Sequence, residues 1–499
     1  MVQLFAKELH VDQHGKAINF RLHSLQFPHM RALHLAWLSF MVAFMSWYSI
    51  PPLMSIISKE LGISSDEVYD SNVTAVAATI IARLFVGPLC ERFGPRRVMA
   101  TLLFIGAIPT ALSGLISSGG SLIALRFVIG IMGACFVPCQ FWATQMFAPS
   151  IVGTANAITG GWGNMGAGVT YLIMPAIYNG IATHIPSWQA WRVVFIIPSG
   201  ICMLVALCDL FLATDTPHGD WMKLKREQQQ QQQDSSQASS TEASSVDEDI
   251  VGTKTMQVKT QHVLDKGFPV EEDSNASIKD VKRNETSLEQ LRGFCKVLCK
   301  PAVLILICHY ACSFGTELAI DNVIGQVFEK KFALNPSTAA YIGSIFGLLN
   351  ICSRFSGGLF SDFLARRMNL QGRILAQLIL MCFEGAFLVG FSFAMKTLYE
   401  AIILMVCFSF FVQAVCGSTF AIVPFVDPEN NGKVMGIIGA GGNFGGLMFN
   451  IMFREFDGGF ELAFLALGII TLGFGILGVA LLRVQQHSIW QLFKSSSTV

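Results

Sequence analysis

The sequence predicts an all-α membrane protein with twelve transmembrane helices in two six-helix bundles. Three observations carry that expectation. Of 499 residues, 52% are hydrophobic and 14% charged, where soluble domains carry about 25% charge, and mean hydropathy is +0.52. Apolar runs able to cross a ~30 Å hydrocarbon core recur about twelve times. One pattern also occurs twice: Arg83, Gly87, Glu91 and Arg96-Arg97 in the first half, then Arg354, Gly358, Asp362 and Arg366-Arg367 in the second.

Met1–Arg31 is polar and contains His, Lys and Asp, so it reads as no secretory signal and the first span does the targeting. Six spans are placed near 34–57, 71–91, 98–117, 121–146, 152–178 and 190–213. Six more follow near 301–326, 337–361, 372–395, 399–425, 433–454 and 460–483. The domains are thus a tail (1–33), a bundle (34–213), a central loop (214–300), a second bundle (301–483) and a tail (484–499). Chains with such doubled halves bind substrate near the bilayer midplane, between the halves.

The central loop holds the run Gln228–Gln233, a serine-rich stretch and mixed charge through Arg283. It has too few apolar residues to bury a core and is expected to be disordered. Ser245-Val-Asp-Glu248 has the pattern of an acidic-directed kinase site, which would make kinases or other regulators partners of this loop. Arg92, Arg96 and Arg97 follow span two, and Arg366, Arg367 and Arg373 follow span eight. Opposite loops include the acidic 59–70 and the uncharged 114–121, with Lys330 and Lys331 against the trend. The balance puts both termini and the central loop in the cytoplasm, where the sequons at Asn275 and Asn284 would be inert.

A formal net charge of zero argues against nucleic acid as a partner. The thirteen cysteines include the same-face pairs Cys135/Cys139 and Cys295/Cys299. No His joins either pair at zinc spacing, so these read as buried structural thiols and no metal is expected. The spans contain no nucleophile–base pair, haem ligand set or metal cluster, so neither an enzyme nor a cofactor is expected.

The doubled loops, Gly87 through Glu91, Arg92, Arg96 and Arg97, and Gly358 through Asp362, Arg366 and Arg367, place a carboxylate and arginines where they can form a breakable charge network between helices. Glycine there would permit close packing. Both loops resemble the signature loop of the major facilitator superfamily and occupy its positions after spans two and eight. The resemblance implies two bundles rocking about a central site, and covers nearly all the chain outside the central loop and tails.

Two glycine clusters centre on Gly-Asn-x-Gly. Gly161, Gly163, Asn164, Gly166 and Gly168 lie in span five; Gly441, Gly442, Asn443, Gly445 and Gly446 lie in span eleven. Helical glycine costs ~1 kcal/mol against alanine, so the clusters mark close approach of a helix or ligand. Helix packing accounts for most of the glycines but not for a lone asparagine in each. These motifs resemble the nitrate signatures of the nitrate/nitrite porter family. Ala190-Trp191-Arg192, Asp215-Thr-Pro217, Phe314-Gly-Thr-Glu317-Leu318 and Arg354-Phe-Ser-Gly-Gly358 add to the likeness. The long central loop and Ser46-Trp47-Tyr48 before Pro51-Pro52 are similar to fungal and yeast high-affinity nitrate transporters.

Arg83 and Arg354 lie mid-span, where an arginine costs roughly 2.5–3.5 kcal/mol on insertion scales. Spans two and eight offer no carboxylate near midspan, so two uncompensated cations at equivalent positions predict a buried anion between them. An arginine fork suits a planar oxyanion. In the resembling family one arginine from each half binds nitrate. The resemblance also implies Tyr310 and Phe314 beside the substrate, with Phe44 a weaker candidate. Arg126 is expected to gate rather than to bind.

Glu317 has two open readings: a proton carrier facing the cavity, or a polar partner near the external end. The expected function is high-affinity uptake of nitrate, with nitrite a further substrate, across the plasma membrane in symport with protons. Nitrate/nitrite exchange, or nitrate sensing through the central loop, are the alternatives.

Overall fold

The computed structural model describes residues 4–227, 230 and 287–491, apart from Pro149, Glu429 and Asp457. The chain divides into a membrane unit (1–222 with 297–499) and an inserted unit (223–296). The first half of the membrane unit is built from α1 (His29–Trp47), α2 (Met54–Leu61), α3 (Ser65–Phe93), α4 (Pro95–Leu112), α5 (Gly119–Gly130), α6 (Phe136–Met146), α7 (Val152–Asn164), α8 (Gly166–Ala182), α9 (Ser187–Val194) and α10 (Ile196–Leu212). After α11 (Ser287–Leu298), the second half comprises α12 (Pro301–Phe332), α13 (Pro336–Leu348), α14 (Ser353–Ala394), α15 (Leu398–Ile422), α16 (Asn431–Glu455) and α17 (Phe460–Leu481).

Local chemistry sets the helix starts. Ser64 and Glu67 form a reciprocal capping box at α3, with Asp66 and Glu67 at the positive end of its dipole. Asn335 accepts the Thr338 N–H at 2.8 Å to cap α13.

Among the described residues nine stretches are long and apolar enough to cross a membrane, ten if the bent Ser65–Phe93 helix is one span. The other two predicted spans are present in other forms. Pro336–Ala394 is a 59-residue stretch, about 90 Å of helix at 1.5 Å per residue and three hydrocarbon thicknesses. It breaks at Asn369 (φ 52°, ψ −141°), so it holds spans eight and nine. Span five is split at Met165 into α7 and α8.

Two expectations about the termini of these domains change. The N-terminal tail packs onto the first bundle over residues 4–28: Ala17 bridges to Phe147, and the buried Phe20 stacks on Phe147 at 5.0 Å. The central loop begins with an ordered Asp215–Met222 stretch and closes on α11. The sequons, the Ser245 motif and the glutamine run other than Gln230 lie outside the described residues. Cys135 and Cys139 are buried, but Cys295, on the amphipathic α11, and Cys299, just past its end, are exposed.

Lys300, at the start of α12, donates to Asp427 at 2.5 Å. That bond holds the Asp427 carboxyl below its usual range. A depressed carboxyl contributes stability in full above about pH 4, the ordinary aspartate value, and loses it as pH falls through the lower folded value. Lys300→Met should therefore lower the thermal midpoint in detergent near neutrality and leave it unchanged at the acid end of a pH series.

Candidate functional site

α3 bends by 43° between Arg83 and Phe85. Pro88 explains the place: it has no N–H for the carbonyl four residues back, at Leu84, and its ring crowds that oxygen. Beside the bend, Arg83 donates through Nη2 (3.0 Å) and Nε (3.3 Å) to the Gly133 carbonyl, in the 3-10 turn Ile131–Cys135. Its Nη1 reaches the Gly439 carbonyl of α16 at 3.4 Å. The guanidinium sits over the rings of Phe136 (5.0 Å) and Phe314 (5.8 Å). Arg83 is half-buried and, among the described residues, in no ion pair.

Arg354 differs. It is buried and pairs with Glu317 of α12, Nη2 to Oε2 at 2.6 Å. Asn350 donates to the other Glu317 oxygen at 2.7 Å and accepts from Arg354 Nε at 3.4 Å. Only one of the two arginines is therefore uncompensated, and the expectation of two is corrected. The carboxylate comes from span seven, a helix that sequence spacing does not relate to span eight. Glu317 is thus at the centre of the site rather than near the external end. Arg354 also lies over the Phe314 ring, at 5.6 Å. One arginine from each half faces the same phenyl group.

Each glycine–asparagine helix backs the arginine of the other half. Asn443 Nδ2 donates at 3.0 Å to the Gly439 carbonyl that also accepts from Arg83. A Cβ on Gly161 would lie 3.0 Å from the Asn350 carbonyl and 3.5 Å from Arg354 Cβ. Asn164, three residues on, shares that helix face. Neither side-chain atom of Asn164 has a partner among the described residues, nor does Asn443 Oδ1, although all are buried. An unsatisfied buried polar group costs about 1–3 kcal/mol.

Tyr310 stacks on Phe314 at 5.1 Å and meets Phe420 edge-on at 5.0 Å. The neighbours of Phe44 are Phe40, Trp47 and Tyr48, while the ring beside Arg83 is Phe136, which sequence reading missed. One more aromatic in an apolar span rich in phenylalanine gave no signal. All eight cluster glycines sit tight: a side chain would run into Asn350 at Gly161, Phe40 at Gly163, Met41 at Gly166 and Leu348 at Gly168. Gly441 faces Ile307, Gly442 faces Tyr310 and Phe314, Gly445 faces Ala311 and Gly446 faces Leu318.

Comparisons with known proteins bear on what this arrangement serves. The family profile described as Major Facilitator Superfamily matches residues 36–450. High affinity nitrate transporter 2.7 of Arabidopsis thaliana is 36% identical over 447 residues, covering 90% of this chain and 82% of the relative. Nitrate transporter 2.1 of Chlamydomonas reinhardtii is 34% identical, over 93% of this chain and 76% of the relative. The chain belongs to the major facilitator superfamily, in its nitrate/nitrite porter family. It is a multi-pass membrane transporter, not an enzyme. The nitrate/nitrite transporter NrtP of Nostoc punctiforme is 28% identical over 86% of this chain and 87% of that protein. A bacterial homologue of the human lysosomal transporter Spinster, in an inward-facing conformation, shares the fold: TM-score 0.61, 14% identity, 91% of this chain and 97% of that one.

The signature loops of this superfamily member are wired differently from the sequence expectation. Arg96 and Arg97 take carboxylates from the stretch after α10: Arg96 pairs with Asp215 (3.6 Å) and Asp220 (2.9 Å), and Arg97 with Asp220 (2.7 Å). Asp362 pairs with Arg373 at 2.6 Å, Arg367 lies over Phe363, and Arg92 lies over Phe93. The Trp221 indole donates to the Glu91 carbonyl at 3.0 Å. A Cβ on Gly87 would meet nothing within 4 Å, and one on Gly358 only Gly417 at 3.9 Å. Close packing falls instead to Gly357 and Gly417, which press the Arg354 turn against α15.

On the face opposite these loops, polar bonds join the two halves. Arg126 is buried and donates to Asn72 (2.7 Å) in one half and Asn322 (2.8 Å) in the other. Tyr171 donates to the Asp321 carbonyl at 2.7 Å, Arg454 pairs with Asp70 at 3.3 Å, and Ser55 donates to Glu329. Of these, the sequence marked Arg126 as gating and Asp321 beside Glu317, but not their partners. Glu384 was also missed: it is fully buried, and neither carboxyl oxygen has a hydrogen-bond partner among the described residues. A lone glutamate in an apolar span was the available signal.

Proposed function

We propose that this transporter imports nitrate, with nitrite as a further substrate, across the plasma membrane in symport with protons. Arg83 and Arg354 take the anion from opposite halves, beneath Phe314 and between Asn164 and Asn443. The observation that carries this reading is the convergence of the two arginines, one from each half, on one ring, at 5.8 and 5.6 Å. The plant, algal and cyanobacterial relatives are named for nitrate or nitrate/nitrite transport. Two arginine forks beside unsatisfied amides suit a flat oxyanion with several acceptor edges.

With the arginine-rich loops and both termini in the cytoplasm, the Arg126–Asn322, Tyr171–Asp321 and Asp70–Arg454 bonds close the external face. Importing an anion against a negative interior costs about 2.3 kcal/mol per 100 mV, which symport with more than one proton overcomes. Nitrate should evoke an inward current in a voltage-clamped cell at rest, larger as external pH falls. An outward current, or one indifferent to pH, would end the symport reading. Tracer uptake that needs internal nitrite and no pH gradient would make the chain an exchanger.

A further inference from the structure

We infer that Glu317 and the transported anion compete for Arg354, so that the anion binds there only as a proton moves onto Glu317. The inference rests on Arg354 being an anion ligand and adds where one proton goes and why it is obligatory.

The exchange balances. In the structure Arg354 is satisfied by the Glu317 carboxylate at 2.6 Å, and Asn350 donates to the second carboxylate oxygen at 2.7 Å. The pair is almost fully buried, Glu317 being 1% and Arg354 4% exposed. An arriving nitrate finds its fork already occupied by an oxyanion of similar geometry. Taking one proton turns Glu317 into a neutral acid. Its bond to Arg354 weakens, Asn350 can keep its donor on the acid's carbonyl oxygen, and the fork turns to nitrate. One proton and one nitrate add no net charge, so the empty and loaded sites carry the same charge.

The half-loaded states do not. Nitrate alone would place two anions against Arg354, and a proton alone would leave that guanidinium unpaired. A proton alone strands a buried charge, which proteins tolerate poorly; nitrate alone, though balanced by Arg83, must share the Arg354 fork with the Glu317 carboxylate already seated on it. The groups whose charge or dipole bears on Glu317 are Tyr48 from α1, Tyr310 and Asp321 on its own helix, Arg354 and Glu384 from α14, and Cys416 from α15, whose sulfur lies 3.9 Å from Oε2. Arg354 is the only cation in that set.

Linkage makes the test direct, because proton and anion must strengthen each other's binding by the same factor. Purified protein in weakly buffered detergent, mixed with nitrate beside a pH indicator, should take up about one proton per nitrate bound. Nitrate affinity should fall up to about tenfold per pH unit on the alkaline side. Glu317→Gln, an isosteric neutral group, should bind nitrate with no proton uptake and no pH dependence. In liposomes that variant should keep nitrate counterflow and lose uptake driven by a pH gradient. Glu317→Asp should restore proton uptake, which guards against a mere folding defect. Undiminished proton uptake or pH-driven accumulation by Glu317→Gln overturns the exchange. Absence of nitrate counterflow in the wild-type protein would instead overturn the transport reading beneath it.

Discussion

Arg354→Lys should raise the half-saturating nitrate concentration roughly ten- to a hundredfold, with the protein still folded. The magnitude follows from losing one charged hydrogen bond, worth about 1.5–3 kcal/mol. Lysine keeps the charge and can still neutralise Glu317, so the fold survives, but a compact ammonium cannot present two parallel donors to a planar oxyanion. Arg354→Ala should behave differently. It leaves the Glu317 carboxylate buried and unpaired, a loss of about 3–5 kcal/mol, and should lower the thermal midpoint and the yield of monodisperse protein. Adding Glu317→Gln to Arg354→Ala should recover much of that stability without recovering uptake, because the stranded charge is gone but the anion ligand is not replaced. Tracer uptake beside size-exclusion profiles distinguishes the two. High-affinity uptake by Arg354→Lys would remove the bidentate argument for this site.

Gly168→Val should abolish uptake for a purely steric reason. A Cβ at Gly168 would strike the backbone of Gly347 and Leu348, and one at Gly347 would strike Gly168. These glycines let α8 and α13 touch backbone to backbone across the two halves, on the side of the Arg126–Asn322 bond. A branched side chain holds that face apart while each bundle remains packed, so the carrier stays open to the outside. A membrane-impermeant thiol reagent added externally should label Asn72→Cys faster in the Gly168→Val background than alone. Normal uptake by Gly168→Val would show that this contact does not form during the cycle.

Much of this molecule could be read from the chain because the relevant physics is local. A hydrocarbon core of fixed thickness demands apolar runs of fixed length, and helix covers most of each predicted span, with breaks at Tyr48–Ile50 and Met165 that the apolar pattern does not mark. The doubled Arg–Gly–acid spacing and the paired Gly-Asn clusters are periodic and survive as patterns whatever the neighbours do. An arginine in an apolar run announces itself by its cost. Sequence by itself therefore determined the span plan, the duplication, and Arg83, Arg354, Asn164 and Asn443 as residues needing a purpose.

Tertiary structure decided which groups answer them. Arg83 is held by carbonyls of Gly133, in a 3-10 turn, and Gly439, in a glycine-rich helix, 50 and 356 residues away. Arg354 is paired with Glu317, 37 residues back on another helix. Arg96 and Arg97 reach past Glu91 to Asp215 and Asp220. Such partners depend on how helices are rotated and crossed against one another, which backbone approach at glycine sets and no spacing along the chain encodes. A buried ion seeks the partner that geometry brings within about 3 Å, not the one nearest in sequence.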